Sequence, residues 1–157
     1  MPKFQDITAV SHSAEQMFDL VADVERYPEF LPMCEALRVK EKRERDGKTM
    51  LVADMTVGYK MIRETFTSRV LLKPAEKAID VSYLEGPFRY LDNRWTFQPR
   101  ADGGCDVVFF IDYEFKSRTL GMLMGAMFDR AFHMFSQAFQ KRSMEVYGDP
   151  RREDATA

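Results

Sequence analysis

The sequence has few cysteines, no metal-binding motif and no long apolar run. Its 157 residues include two cysteines, Cys34 and Cys105, whose spacing fits neither a zinc site nor a disulfide framework. No stretch approaches the roughly 18 apolar residues of a membrane-spanning helix, and the first residues lack the pattern of a signal peptide. We therefore expect a soluble cytoplasmic protein with reduced thiols and without zinc.

A strong charge of one sign is also missing. The chain has 23 Lys and Arg against 25 Asp and Glu, for a net charge of −2, which argues against a domain-wide basic field for binding nucleic acid. Its two histidines, His12 and His133, have neither a metal-ligand spacing nor a neighbouring nucleophile, so we expect a solvated or capping role for each. We predict no enzyme, no catalytic residue, no metal and no cofactor.

Methionine and phenylalanine are instead abundant, with 11 Met and 13 Phe beside a single Trp. Such pliable and aromatic side chains form adaptable cores and pockets for large apolar ligands. A chain of this length forms one domain with a sizeable core.

The order of the predicted elements gives the fold class. A first strand over Lys3 to Val10 is followed by two short helices, the first opened by a capping box of Ser13 and Gln16. Between Cys34 and Phe115 apolar residues recur with period two, which predicts six further antiparallel strands joined by tight turns. Arg118 to Tyr147 then predicts one helix about 45 Å long, at about 1.5 Å per residue. This is an α+β domain in which a curved sheet wraps one long helix.

Several separated motifs resemble one known family. They are AEQMFDLVADVERYPEFLPMC near the start, Tyr83 to Phe88 with Trp95 to Phe97 in the middle, and Tyr113 to Phe115 before the last helix. The chain resembles the coenzyme Q-binding START-domain family, which includes ribosome association toxins. The resemblance implies a helix-grip (START/Bet v 1-like) fold over residues 1–148, with a polar tail over 149–157, and binding of ubiquinone or a similar isoprenoid quinone.

The ligand-binding residues are expected on the inner face of the sheet and on the long helix. Alternation on the strands and the apolar start of the helix place the quinone tail along Val57, Tyr59, Phe66, Trp95, Phe109, Met124, Met127 and Phe128.

Two further site residues have alternative interpretations. Glu64 shares its strand face with Phe66, so it is either a polar anchor for the ring of the ligand or a strand-end residue that reaches solvent. Phe88 follows Gly86 and Pro87, and it either forms the rim of the pocket or folds back on the core. We expect Glu64 to anchor the ring of the ligand and Phe88 to form the rim of the pocket.

The start of the long helix and the first hairpin bear on partners. Residues 120–128 are apolar on every face, so Met122 and Ala126, opposite the sheet, are either ordinary core or a lid that contacts a membrane transiently. The basic residues between Lys40 and Arg45 alternate with acidic ones, which favours a solvated hairpin over an RNA contact.

The function that follows is a non-enzymatic quinone carrier or chaperone that supports respiration. It would work in the cytoplasm, peripherally at the inner face of the membrane, without DNA as a partner. The alternative is a toxin-like factor that binds the large ribosomal subunit and blocks subunit association. An aromatase or cyclase of the same fold is disfavoured because no catalytic set is present.

Overall fold

The computed structural model describes residues 3–59 and 61–148. The strands are β1 (Lys3–Val10), β2 (Cys34–Arg45), β3 (Lys48–Tyr59), β4 (Ile62–Lys73), β5 (Ala78–Glu85), β6 (Phe88–Pro99) and β7 (Cys105–Phe115). The helices are α1 (Ala14–Ala22), a 3₁₀ helix (Val24–Glu29) and α2 (Arg118–Tyr147). This order, with two short helices after the first strand, confirms the predicted fold class.

All seven strands form one antiparallel sheet in the order β1-β7-β6-β5-β4-β3-β2. Register irregularities interrupt the ladders of β2, β4 and β6, and such bulges bend a strand and increase its twist. The helix α2 contacts β1 and β7, while the 3₁₀ helix packs on β2 at the other edge. The concave face of the sheet therefore lies between two helical covers.

Local signals in the sequence explain where elements begin and turn. Ser13 Oγ accepts a hydrogen bond from the Gln16 amide at 3.1 Å, and Gln16 Oε1 accepts one from the Ser13 amide at 3.0 Å, which completes the predicted capping box. Asp46 and Gly47 have φ angles of 54° and 77°, the left-handed pair that a tight two-residue hairpin needs. Both predictions are confirmed.

The period-two pattern also assigned the faces of the strands correctly. Along β7 every second residue is buried, from Cys105 through Phe109 to Phe115, while the residues between them are partly exposed. The buried set of β6 includes Leu91, Asn93 and Trp95 in the same way.

Phe88 is fully buried in the core and does not form the rim of the pocket that we expected at this turn. The cause is a bulge between Phe88 and Tyr90, which lets Phe88 pair with Phe115 while Tyr90 pairs with Glu114. Simple alternation would place Phe88 on the same face as Tyr90, and the extra residue turns its ring inward instead. The phenyl ring fits the alternative reading, in which this turn folds back on the core.

The second half of α2 is held by hydrogen bonds from side chains. Ser136 donates to Asp6 at 2.7 Å, and Arg142 donates to Glu29 at 2.7 Å. In residues 3–59 and 61–148, no side-chain hydrogen bond links positions 118–135 of α2 to another strand or helix. Apolar packing holds the first half of the helix.

His12 is buried and bonds the C-cap residue of α2, so of the two roles expected for it, solvated or capping, it is not solvated. Its Nε2 donates to the carbonyl oxygen of Gly148 at 2.7 Å, and Tyr147 donates from its hydroxyl to Gln16 O at 3.1 Å. Residues 136 positions apart cannot be paired by local pattern reasoning, which explains the difference. The end of α2 is therefore tied to the start of the domain.

Two further sequence predictions concern the polar C-terminal tail and the lack of a membrane-spanning helix. The polar tail over 149–157 lies outside the described residues. Within the described ranges, no helix is both long and apolar enough to cross a membrane.

Candidate functional site

A cavity lies between the concave face of the sheet and α2. Its enclosed volume is about 130 Å³, and the empty space between its walls, including the open mouth, is about 1050 Å³. Strands β2 to β7 form one wall, α2 forms another, and the segment that contains the 3₁₀ helix closes a third side. The site is an apolar pocket of the kind that binds small molecules.

Five of the predicted ligand-binding residues meet on the walls of this cavity. They are Val57, Phe66, Trp95 and Phe109 from the sheet, together with Phe128 from α2. The Trp95 ring lies 4.7 Å from that of Phe109, edge to face, so the wall is packed rather than loose. Strand alternation places the four sheet residues on one face, and α2 adds Phe128 from the opposite side.

Four other predicted residues do not line the cavity. Phe88, Met124 and Met127 are buried in the core, and Glu64 is partly exposed two residues before Phe66 on β4. The side chain of the one remaining predicted residue, Tyr59, lies outside the described part of the chain. A contact between Glu64 and the ring of a ligand therefore stays a prediction.

A phenylalanine stripe on α2 forms the helical wall, and only its first member was expected there from the sequence. The side chains share one face of the helix and are Phe128, Phe132, Phe135 and Phe139. Their spacing of four, three and four residues is the helical repeat, so the signal was present in the sequence. Ala131 lies among them and leaves room where a larger side chain would fill the cavity.

The segment after α1 closes the side of the cavity near β2. Tyr27, Leu31 and Met33 line the pocket from this segment. The Tyr27 hydroxyl donates to the carbonyl of Val21, and burial raises the pKa of Tyr27 far above its usual range. Pro28 and Pro32 within the segment restrict its backbone, but their pattern predicted only a short connector.

The polar atoms on the cavity wall are few and uncharged. Asn93 accepts a hydrogen bond from Trp95 Nε1 at 3.1 Å and donates to the carbonyl of Phe110 at 2.8 Å. Ser68 is a second polar side chain on the cavity wall, and its hydroxyl is buried. Among the described residues, no charged side chain lines the cavity. The pocket therefore favours a neutral apolar molecule.

The cysteines are not arranged for catalysis. Burial raises the pKa of both Cys34 and Cys105 to about 11, so both are protonated thiols at neutral pH. In the described part of the chain, no group of three or more His, Cys, Asp or Glu side chains is placed to hold a metal ion.

The start of α2 exposes large apolar side chains beside the cavity. Met122 is 79% exposed and Leu123 is 59% exposed, while Met124 is fully buried. The outer face expected at Met122 and Ala126 is therefore exposed, and it is not ordinary core.

A curved antiparallel sheet around a long helix, with an apolar cavity between them, defines a helix-grip domain for hydrophobic ligands. Residues 10–140 match the family described as polyketide cyclase, dehydrase and lipid transport, and the chain belongs to this family. The resemblance to START domains is thereby confirmed.

Two named relatives come from different functional groups. The ribosome association toxin RatA of Vibrio cholerae is 39% identical over 140 residues, which cover 89% of this chain and 94% of the toxin. The mitochondrial coenzyme Q-binding protein COQ10 homolog B of Xenopus laevis is 28% identical over 149 residues, covering 93% of this chain and 59% of that protein. Neither relative has the name of an enzyme.

Solved structures agree on the fold. An 18 kDa protein from Caulobacter crescentus is 33% identical with a TM-score of 0.79, covering 95% of this chain and 100% of its own. A START superfamily protein from Mycobacterium smegmatis is 21% identical with a TM-score of 0.77, covering 92% of this chain and 98% of its own, and shows the fold alone.

Proposed function

We propose that this protein binds an isoprenoid quinone such as ubiquinone in its cavity and acts as a carrier or chaperone that supports respiration. The observation that supports this proposal is the apolar cavity, whose described wall residues are uncharged and include Trp95 and four phenylalanines of α2. A neutral planar quinone ring with an apolar tail matches such a wall. The likeness to the coenzyme Q-binding protein of Xenopus laevis supports the same ligand class.

The function needs binding and release but no chemical step. The ligand would be exchanged at the inner face of a membrane, where the exposed Met122 and Leu123 provide an apolar surface. Ligand pockets commonly have volumes of about 300–1000 Å³. The enclosed volume of about 130 Å³ is smaller, so entry of a ring and tail requires the walls to separate.

Purified protein is expected to take up about one quinone per chain, since the cavity between the sheet and α2 is a single apolar pocket. Trp95 is the single tryptophan and lines the cavity, so quinone delivered from lipid vesicles should change its fluorescence. Organic extracts of protein from a quinone-producing host should contain the quinone by mass spectrometry. Empty extracts together with unchanged Trp95 fluorescence would contradict the proposal.

A second candidate function is binding to the large ribosomal subunit. The observation that favours it is the 39% identity to the Vibrio cholerae toxin over 94% of that protein. The basic residues of the β2–β3 hairpin are the candidate RNA contacts. They already pair with acidic neighbours, as in Arg43 with Glu41 at 2.8 Å and Lys42 with Glu44 at 3.9 Å.

We expect no stable cosedimentation with large ribosomal subunits at physiological salt, because the interleaved acids leave little net positive potential on this hairpin. The measurement is sucrose-gradient cosedimentation over a range of salt concentrations. Neutralising Lys42 and Arg43 is compared with neutralising Arg69 and Lys141, which are also exposed. Tight, salt-sensitive binding lost only in the hairpin variant would put the ribosome first.

A further inference from the structure

The hydroxyl of Ser68 is a buried polar group on the cavity wall. Ser68 is 6% exposed, and its Oγ has no hydrogen-bond partner among the described residues. Burying a hydroxyl without a partner destabilises a folded protein. The position therefore calls for an explanation, and the side chain lines the cavity.

The neighbours of Ser68 cannot supply the missing partner. Ala53 is opposite Ser68 on β3, and its methyl group has no polar atom. Tyr83 is opposite on β5, but its hydroxyl contacts the Phe88 amide at 3.0 Å and makes no hydrogen bond with Ser68. Phe66 and Val70, the next inward residues on β4, are apolar. These neighbours make no hydrogen bond with the Ser68 hydroxyl, so it is free to bond a molecule in the cavity.

The rest of the wall restricts the chemistry of that molecule. The described wall residues carry no charge, so a carboxylate or phosphate would be buried without a counter-ion. Asn93 and Tyr27 already have protein partners for their polar groups. A serine hydroxyl both donates and accepts, and it complements a neutral oxygen.

We propose that Ser68 is the hydrogen-bond anchor for a neutral oxygen, such as a ring carbonyl, on the apolar ligand. This inference rests on the proposed function and makes Ser68 the residue that distinguishes an oxygen-bearing ring from a plain hydrocarbon. Glu64, the anchor expected from the sequence, lies on the same strand but does not line the cavity.

The test compares Ser68→Ala with Ser82→Ala, which removes the same hydroxyl from an exposed position on β5. Decylubiquinone and decylbenzene are titrated against full-length protein loaded with the neutral dye N-phenylnaphthylamine, and displacement of the dye gives each affinity. Ser68→Ala should weaken decylubiquinone binding about 2- to 10-fold, the range of one hydrogen bond. Decylbenzene binding should not change, and Ser82→Ala should behave as wild type with both.

The melting temperature of the unliganded protein provides a second readout. Because the hydroxyl has no protein partner, Ser68→Ala should melt at the same temperature as wild type or higher. Unchanged decylubiquinone affinity, equal losses for both ligands, or a lower melting temperature would each overturn the role of Ser68 while leaving quinone binding by wild type intact. A wild-type protein that binds neither ligand would remove the proposed function and this inference together.

Discussion

Replacing Phe88 with alanine is expected to lower the free energy of unfolding by about 3–5 kcal/mol, the usual cost of removing a buried phenylalanine. The ring has no exposed surface, and its centroid lies 4.8 Å from that of Phe115, 5.3 Å from Phe66 and 5.8 Å from Phe128. These rings come from β7, β4 and α2, so the cavity left behind would loosen three elements. Urea unfolding followed by far-UV circular dichroism measures the change.

Phe110→Ala is the matched control. Phe110 lies on the opposite face of β7 and is partly exposed, with the Arg94 guanidinium 5.9 Å from its ring. Substitutions at such surface positions usually change stability by less than about 1 kcal/mol. Equal losses in the two variants would show that Phe88 is not the packing centre that the contacts indicate.

Replacing Ala131 with phenylalanine is expected to weaken binding of decylubiquinone about 10- to 100-fold. Ala131 is buried on α2 and lines the cavity, so a phenyl ring there would occupy the space that the ligand needs. Binding would then require overpacking, which typically costs about 1–3 kcal/mol. The fold should persist because the new ring fills empty volume. Dye displacement measures the affinity, and circular dichroism checks the fold.

Ala126→Phe places the same side chain on the exposed face of the same helix. It should leave the affinity for decylubiquinone at the wild-type value. A folded Ala131→Phe protein with undiminished affinity would show that the ligand binds elsewhere.

Regular periodicity explains why most of the fold could be predicted from the sequence. The alternation in β7 and β3 places Phe109 and Val57 on the concave face, and both line the cavity. The capping pair Ser13 and Gln16 and the turn at Gly47 are local signals that need no tertiary information.

The parts that could not be predicted depend on irregular or distant contacts. The bulge beside Phe88 adds one residue to a strand, and nothing in the alternation indicates it. His12 finds its partner at Gly148, at the other end of the domain. The role of Ser68 is visible only once Ala53 and Tyr83 are known to be its neighbours. Each depends on which strands and ends of the chain meet.

The unequal attachment of α2 makes its two halves respond differently to their surroundings. Hydrogen bonds from His12 and Arg142 fasten the later half, and amphiphiles do not compete strongly for such polar links. The earlier half, with Phe128 inside and Met122 outside, is held by contacts that detergent or lipid tails replace at little free-energy cost. Detergent or lipid tails are therefore expected to loosen the start of this helix before its end.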